Sequence, residues 1–176
     1  MKVIVRDISL TILLAVAIYF VSQTALYQCI IEQTSMTPTL AEGQRIFVNK
    51  VAYAFDEPER GDIIVFRKPD VNRDKPLIKR VIGLPGEVVT IEIGTVYIDG
   101  SPLDEPYLTE TPGYLLAEYT IPEERYFVLG DNRNGSYDSH YGWTVEEDAI
   151  VGKAWFSIWP PDSMGFAPNY AFADNG

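Results

Sequence analysis

Leu77-Ile78-Lys79-Arg80-Val81-Ile82-Gly83-Leu84-Pro85-Gly86-Glu87 is a short apolar run, rich in β-branched residues, closed by a Gly-Leu-Pro-Gly turn. Such a run between turn signals reads as a strand, and it carries a lysine where a buried strand would have an apolar side chain. Similar runs recur outward in both directions: Arg45–Val51, Asp62–Arg67, Glu87–Ile93, Thr95–Ile98, Arg125–Leu129 and Ile150–Ile158. Gly94 and Asp99-Gly100 supply hairpin chemistry between them, and prolines such as Pro58, Pro85, Pro102 and Pro122 interrupt any helical period. The expectation is a mostly β fold with many non-local pairings. Short turns of helix are expected at Ser35–Glu42 and Glu146–Asp148, and an insertion or extended loop at Asp99–Glu124.

The N-terminus has a different character. No charge occurs from Ile8 to Ile31, and Ile8–Gln28 offers about the 20 residues that a helix needs to span a bilayer. Lys2 and Arg6 favour a cytoplasmic N-terminus. The expected organisation is a cytoplasmic 1–7, a transmembrane anchor over 8–28 and an extracytoplasmic β-rich domain over 29–176. A cleaved signal peptide is the rival reading, with only Ser22-Gln23-Thr24 as an approximate cleavage site.

Composition narrows the function. The 176 residues carry a formal charge of -11; residues 1–28 stand at +1, so the rest holds -12. An acidic body without a Lys/Arg cluster repels phosphate backbones, so no nucleic acid partner is expected. One cysteine, Cys29, and one histidine, His140, leave no disulfide framework and no Cys/His metal site. No metal and no cofactor are expected.

Three segments are over-specified for a plain β domain. They are Ser35-Met36-Thr37-Pro38-Thr39-Leu40, the lysine-bearing run at 79–87, and Gly130-Asp131-Asn132-Arg133-Asn134-Gly135-Ser136-Tyr137-Asp138-Ser139-His140. In this order, with Arg60-Gly61-Asp62-Ile63-Ile64-Val65-Phe66 and an anchor ahead of them, they resemble the bacterial type I signal peptidase family. Its members are membrane-anchored Ser–Lys serine proteases that remove signal peptides. The resemblance runs from Ile8 to about Ile158. It implies a signal-peptidase/LexA-like β catalytic domain preceded by one N-terminal transmembrane helix.

By that resemblance Ser35 is the nucleophile, Lys79 the general base, Ser136 the group that orients the lysine, and Asp138 the support of the Ser136 loop. A serine hydroxyl needs a base to attack an amide. Lysine serves only when neutral, so its free pKa of about 10.4 must fall by about 2–3, which requires the site to disfavour the ammonium by roughly 3–4 kcal/mol. Burial supplies that sign and size, and Ile78, Val81 and Ile82 are the sequence-level hint of it. The plain alternatives are a helix cap for Ser35, a solvated strand-edge lysine for Lys79, and an Asx-type turn for Ser136 and Asp138. The resemblance also implies the Ser35 backbone N–H as oxyanion donor. Where the family often adds a serine hydroxyl, this chain has Gln33; either its amide donates instead or the site relies on the backbone N–H alone.

A second departure is His140, where the family usually has arginine. Imidazole pairs strongly with a carboxylate only when protonated, and its presence admits a Ser–His–Asp alternative with Asp138 as orienter. Ile31, Met36, Leu40 and Ile78 match the family's apolar subsites, with ordinary core as the alternative. Trp143, Trp155, Trp159 and Phe156 read either as a lipid-facing surface or as buried core. The partners implied are signal-peptide-bearing preproteins and the lipid bilayer, with an export translocon as a further candidate. Two other readings stand: a catalytically inactive membrane-anchored β interaction module, and a Ser–Lys protease of another substrate class. The nearest of the latter, a self-cleaving repressor, would need a DNA-binding module and an Ala-Gly cleavage site, and neither is present.

Overall fold

The computed structural model describes residues 2–68, 70 and 75–172, with side chains at 2, 3, 5 and 21–23 not described. Lys2, Ser22 and Gln23 of the anchor reading therefore lie outside the described side chains, and 173–176 outside the described residues. Helix α1 spans Lys2–Ala25. Among the described residues no helix is long and apolar enough to cross a membrane. The described apolar side chains from Ile8 to Phe20 extend about 20 Å at 1.5 Å per residue, against about 30 Å of hydrocarbon core. The expected outer end at Gln28 is corrected: the helix stops at Ala25, because β1 (Leu26–Ile30) leaves it to pair with β2 (Arg45–Asn49).

The body is mostly β. Beyond β1 and β2 the chain forms β3 (Ile63–Phe66), β4 (Leu77–Gly83), β5 (Val88–Glu92), β6 (Thr95–Ile98), β7 (Ser101–Pro102), β8 (Leu116–Thr120), β9 (Arg125–Leu129), β10 (Val145–Glu146), β11 (Ile150–Trp159) and β12 (Gly165–Phe166). One sheet runs β1-β2-β11-β3-β4-β9-β10, with β12 on β11; the other runs β7-β6-β5-β8. Every pairing is antiparallel.

β4 is central in the first sheet, and all seven of its residues are buried. Its alternating side chains serve different cores: Ile78 joins Ile31, Met36 and Leu40, whereas Leu77 and Val81 join Ile64, Phe66 and Val128. Ile82 reaches a third core that fills the space against the second sheet. Gly83 makes that approach possible, since a Cβ there would lie 2.3 Å from Ile121 Cδ1. The expected hairpin at Gly94 is present: Glu92 pairs with Thr95, and Ile93 and Gly94 both have positive φ, as a two-residue primed turn requires.

Three expectations need correction. Asp99–Glu124 is not only a loop, because β7 and β8 lie within it; Pro106 and Pro112 fall between them, Pro102 sits in the short outer strand β7 and Pro122 follows β8. Ser35–Glu42 forms no helix. Thr37 N–H donates to Thr34 O at 3.1 Å and Leu40 N–H to Met36 O at 2.9 Å, a turn that Pro38, lacking an N–H, does not extend. The four aromatics do not share one environment. Trp143 packs on Phe66 at the core beside β4, while Trp155 and Trp159 are 43% and 53% exposed, Trp155 and Phe156 packing against an exposed Phe166.

Candidate active site

Ser35 sits in the turn after β1, and Lys79 in the middle of β4. Lys79 Nζ lies 2.7 Å from Ser35 Oγ and donates to Ile78 O at 3.0 Å. Both side chains are buried, Lys79 at 1% exposure. Period-two alternation puts Lys79 on the face of Leu77 and Val81 rather than beside Ile78 and Ile82. Burial pulls the lysine down to about 8, and the carboxylates of Asp138 and Asp131 push the other way. Desolvation thus outweighs attraction, which keeps a neutral amine accessible near neutral pH.

The loop after β9 packs on this pair. Asn132 N–H donates to Ser35 O at 3.0 Å, and Asn132 Nδ2 to Thr34 O at 3.2 Å. Asp138 is fully buried; one carboxylate oxygen accepts from Gly130 N–H at 2.9 Å and the other lies 2.6 Å from His140 Nδ1. Gly130 is required by contact, since a Cβ there would meet Ser136 Oγ at 2.3 Å and Ser35 O at 2.4 Å. The expected bond from Ser136 to Lys79 is not formed: Ser136 Oγ is buried with no hydrogen-bond partner among the described residues. His140 is engaged with Asp138 and stacks on Tyr114, its ring centroid 3.9 Å away.

A cleft of about 560 Å³ lies over Ser35, lined by Gln33, Thr34, Leu77, Gly135 and Tyr137 among others. It shares Glu32 and Gln33 with a groove of about 640 Å³ lined by Cys29, Ile31, Pro76 and Ile78. Gln33 is exposed there, beside the Ser35 turn. Of the four expected subsite residues, Ile31 and Ile78 line the groove, while Met36 and Leu40 are 0% and 2% exposed in the core beneath. No described group of His, Cys, Asp or Glu could hold a metal ion.

Sequence reasoning missed two buried ion pairs that brace the site. Arg80 grips Asp131 with two bonds of 2.9 and 2.7 Å at 0% exposure for both side chains. Arg133 grips Glu105 at 2.7 and 2.5 Å, at 0% and 7% exposure. Arg80 and Arg133 stand in segments already singled out. For Arg80 an arginine inside an apolar run was the only available signal, and for Arg133, in a polar loop, there was none, since nothing local names either partner.

The family description signal peptidase, peptidase S26, matches residues 4–159. The chain belongs to this family. It is similar to a protein named probable signal peptidase I-2 of Synechocystis sp., 42% identical over 77% of this chain and 64% of the relative. It is also similar to a signal peptidase I of Leptolyngbya laminosa, 40% identical over 92% of this chain and 81% of the relative. A crystal structure of a signal peptidase I from Enterococcus faecalis V583 aligns with a TM-score of 0.47 and 36% identity, covering 56% of this chain and 97% of that one. The resemblance read from the motifs is thus borne out, and membership of the signal peptidase family places the chain among the hydrolases.

Proposed function

We propose that this chain is a membrane-anchored serine endopeptidase that removes N-terminal signal peptides from exported preproteins after small-x-small sites. Ser35 is its nucleophile and Lys79 its general base. The 2.7 Å approach of Lys79 Nζ to Ser35 Oγ in a buried setting carries the reading.

The neutral amine takes the Ser35 hydroxyl proton as Oγ attacks the scissile carbonyl. The oxyanion is met by the Ser35 N–H, which donates no hydrogen bond within the described residues, and by the Gln33 amide in the cleft. Collapse breaks the peptide C–N bond. The ammonium returns its proton to the leaving amine, and the acyl group stays on Oγ. Lys79 then deprotonates water, which releases the signal peptide as a carboxylate and restores the hydroxyl. Asp138, through Gly130 N–H, holds the loop against Ser35.

The substrate lies extended along the groove beside Ile78, adding backbone bonds as a strand; Ile31 and Ile78 form the apolar wall, with Met36 and Leu40 fixing it from beneath. The exposed apolar side chains of α1 between Ile8 and Phe20 support attachment of the first part of the chain to the bilayer, with the N-terminus on the cytoplasmic side. Exposed Trp155, Trp159 and Phe166 suit the lipid interface, where aromatic rings concentrate and signal-peptide ends emerge from the bilayer.

The test is cleavage of a model preprotein by the detergent-solubilised chain. Wild type is expected to cut once, after a small-x-small site, with kcat/KM rising as pH climbs through about 8. Ser35→Ala is expected to lose at least about a thousandfold in rate while remaining folded. A folded Ser35→Ala protein with wild-type cleavage would remove Ser35 from the mechanism.

A further inference from the structure

The polar stretch between β7 and β8 lies outside the catalytic account, yet the structure lays it against the back of the catalytic loop at several independent points. Glu105 accepts the buried guanidinium of Arg133 bidentately. Tyr107 O–H donates to the same carboxylate at 2.6 Å, and its ring lies under the Arg80 guanidinium, 4.1 Å from the centroid. Gly113 N–H donates to Asn134 Oδ1 at 2.7 Å, and Asn134 Nδ2 donates to Thr111 O at 3.1 Å. Tyr114 stacks almost flat on His140, at an interplanar angle of 16°.

Two of the grasped residues, Arg133 and His140, connect to Gly130, which packs on Ser35. Arg133 Nε donates to Gly130 O at 3.1 Å; Gly130 is the residue whose missing Cβ lets Ser136 and Ser35 close up. His140 holds Asp138, which holds Gly130 N–H. Arg80 neighbours Lys79 and neutralises Asp131, one of the two carboxylates that draw a proton toward the lysine.

We propose that residues 103–115 are a positioning strap for the dyad, in which Glu105 and Tyr114 press the 130–140 loop against Ser35 and keep water from Lys79. The strap acts through Arg133 and His140; neither Glu105 nor Tyr114 touches substrate. This inference rests on the Ser35–Lys79 reading, and its logic is that of preorganisation. A shared strap fixes two anchor points of one loop, so a buried charged pair and a ring stack together hold it. Loosening either point admits water to the Lys79 amine, stabilises the ammonium and raises the pH at which the base becomes available.

The experiment uses the full chain with Glu105→Gln, Tyr114→Ala and Tyr114→Phe. Two readouts are taken: kcat and KM against pH on the model preprotein, and amide hydrogen exchange at Gly130, Asn132 and Gly135 in a Ser35→Ala background. Glu105→Gln and Tyr114→Ala are expected to lower kcat at least tenfold with KM held within twofold, and to move the rising limb of the pH profile upward. They should also speed loop exchange at least tenfold. Tyr114→Phe keeps the ring and is expected to restore what Tyr114→Ala loses. A merely structural role would lower the melting temperature and leave the pH limb of the folded enzyme in place, and that result overturns the proposal. So does a rise in KM at constant kcat, or faster exchange with wild-type kinetics. Should Glu105→Gln fail to fold, the Tyr114 pair decides. Failure of wild type to cleave would strike the peptidase reading instead, while the exchange measurement, which needs no activity, still judges the strap.

Discussion

Lys79 makes a direct link between burial and stability. Its ammonium has almost no water in the folded protein, and its pKa falls from 10.5 to about 8. Between those two values the unfolded chain binds a proton that the folded chain does not, so stability rises with pH across that window. Below about pH 8 the full penalty applies, on the order of 3 kcal/mol. Lys79→Met, close in length and free of charge, is therefore expected to unfold about 2–3 kcal/mol later than wild type at pH 7. The gain should shrink toward zero as pH approaches 10.5. Denaturant melts at pH 7 and pH 10 check both halves, and a variant less stable than wild type at pH 7 would contradict the burial argument. The two buried arginines are the opposite case. Each has a bidentate carboxylate, so removing one partner strands a charge, at about 3–5 kcal/mol.

The loop from β9 to β10 is where element and chemistry meet. Asp138 caps Gly130 on one side and holds His140 on the other. Imidazole gives that carboxylate a strong bond only when protonated, whereas guanidinium keeps its charge and fork at every relevant pH. His140→Arg is expected to raise activity on the alkaline side, with Tyr114 still able to stack on the new side chain, and to leave substrate choice unchanged. A pH–rate comparison checks it; a folded but inactive variant would favour His140 as the base over Lys79. The strands around this loop were legible wherever β-branched residues were contiguous, and β4, β6 and β9 fall close to their expected ranges. β1 was not, because Leu26–Ile30 continues the apolar run of α1 and only its pairing with β2 sets it apart. β8 was hidden by its polar residues: Leu116–Thr120 exposes Ala117, Glu118 and Thr120, as an outer strand in the second sheet can.

At the scale of the molecule, the meeting of Ser35 and Lys79 was legible because each stands in a distinctive local motif. Its bracing was not, since Arg80 lies 51 residues from Asp131 and Arg133 lies 28 from Glu105, and pattern along the chain cannot name partners brought together by the sheets. If the substrate lies in the groove lined by Ile31 and Ile78, the close-packed core beneath sets a size limit, since overpacking costs about 1–3 kcal/mol. Substrates with Ala one and three residues before the cut are expected to be processed, and Phe at either position should slow cleavage roughly ten- to a hundredfold. Equal rates, measured by product mass and initial velocity, would displace the groove assignment. The strand order has a further consequence, for the timing of the chain's own birth. β2, which follows the Ser35 turn, lies between β1 and β11, and Arg45 pairs with Trp159. A chain emerging from the ribosome presents its serine early, but the sheet around it cannot close until residue 159 has been added. On the Ser35–Lys79 reading, the serine therefore stays idle until that strand is in place.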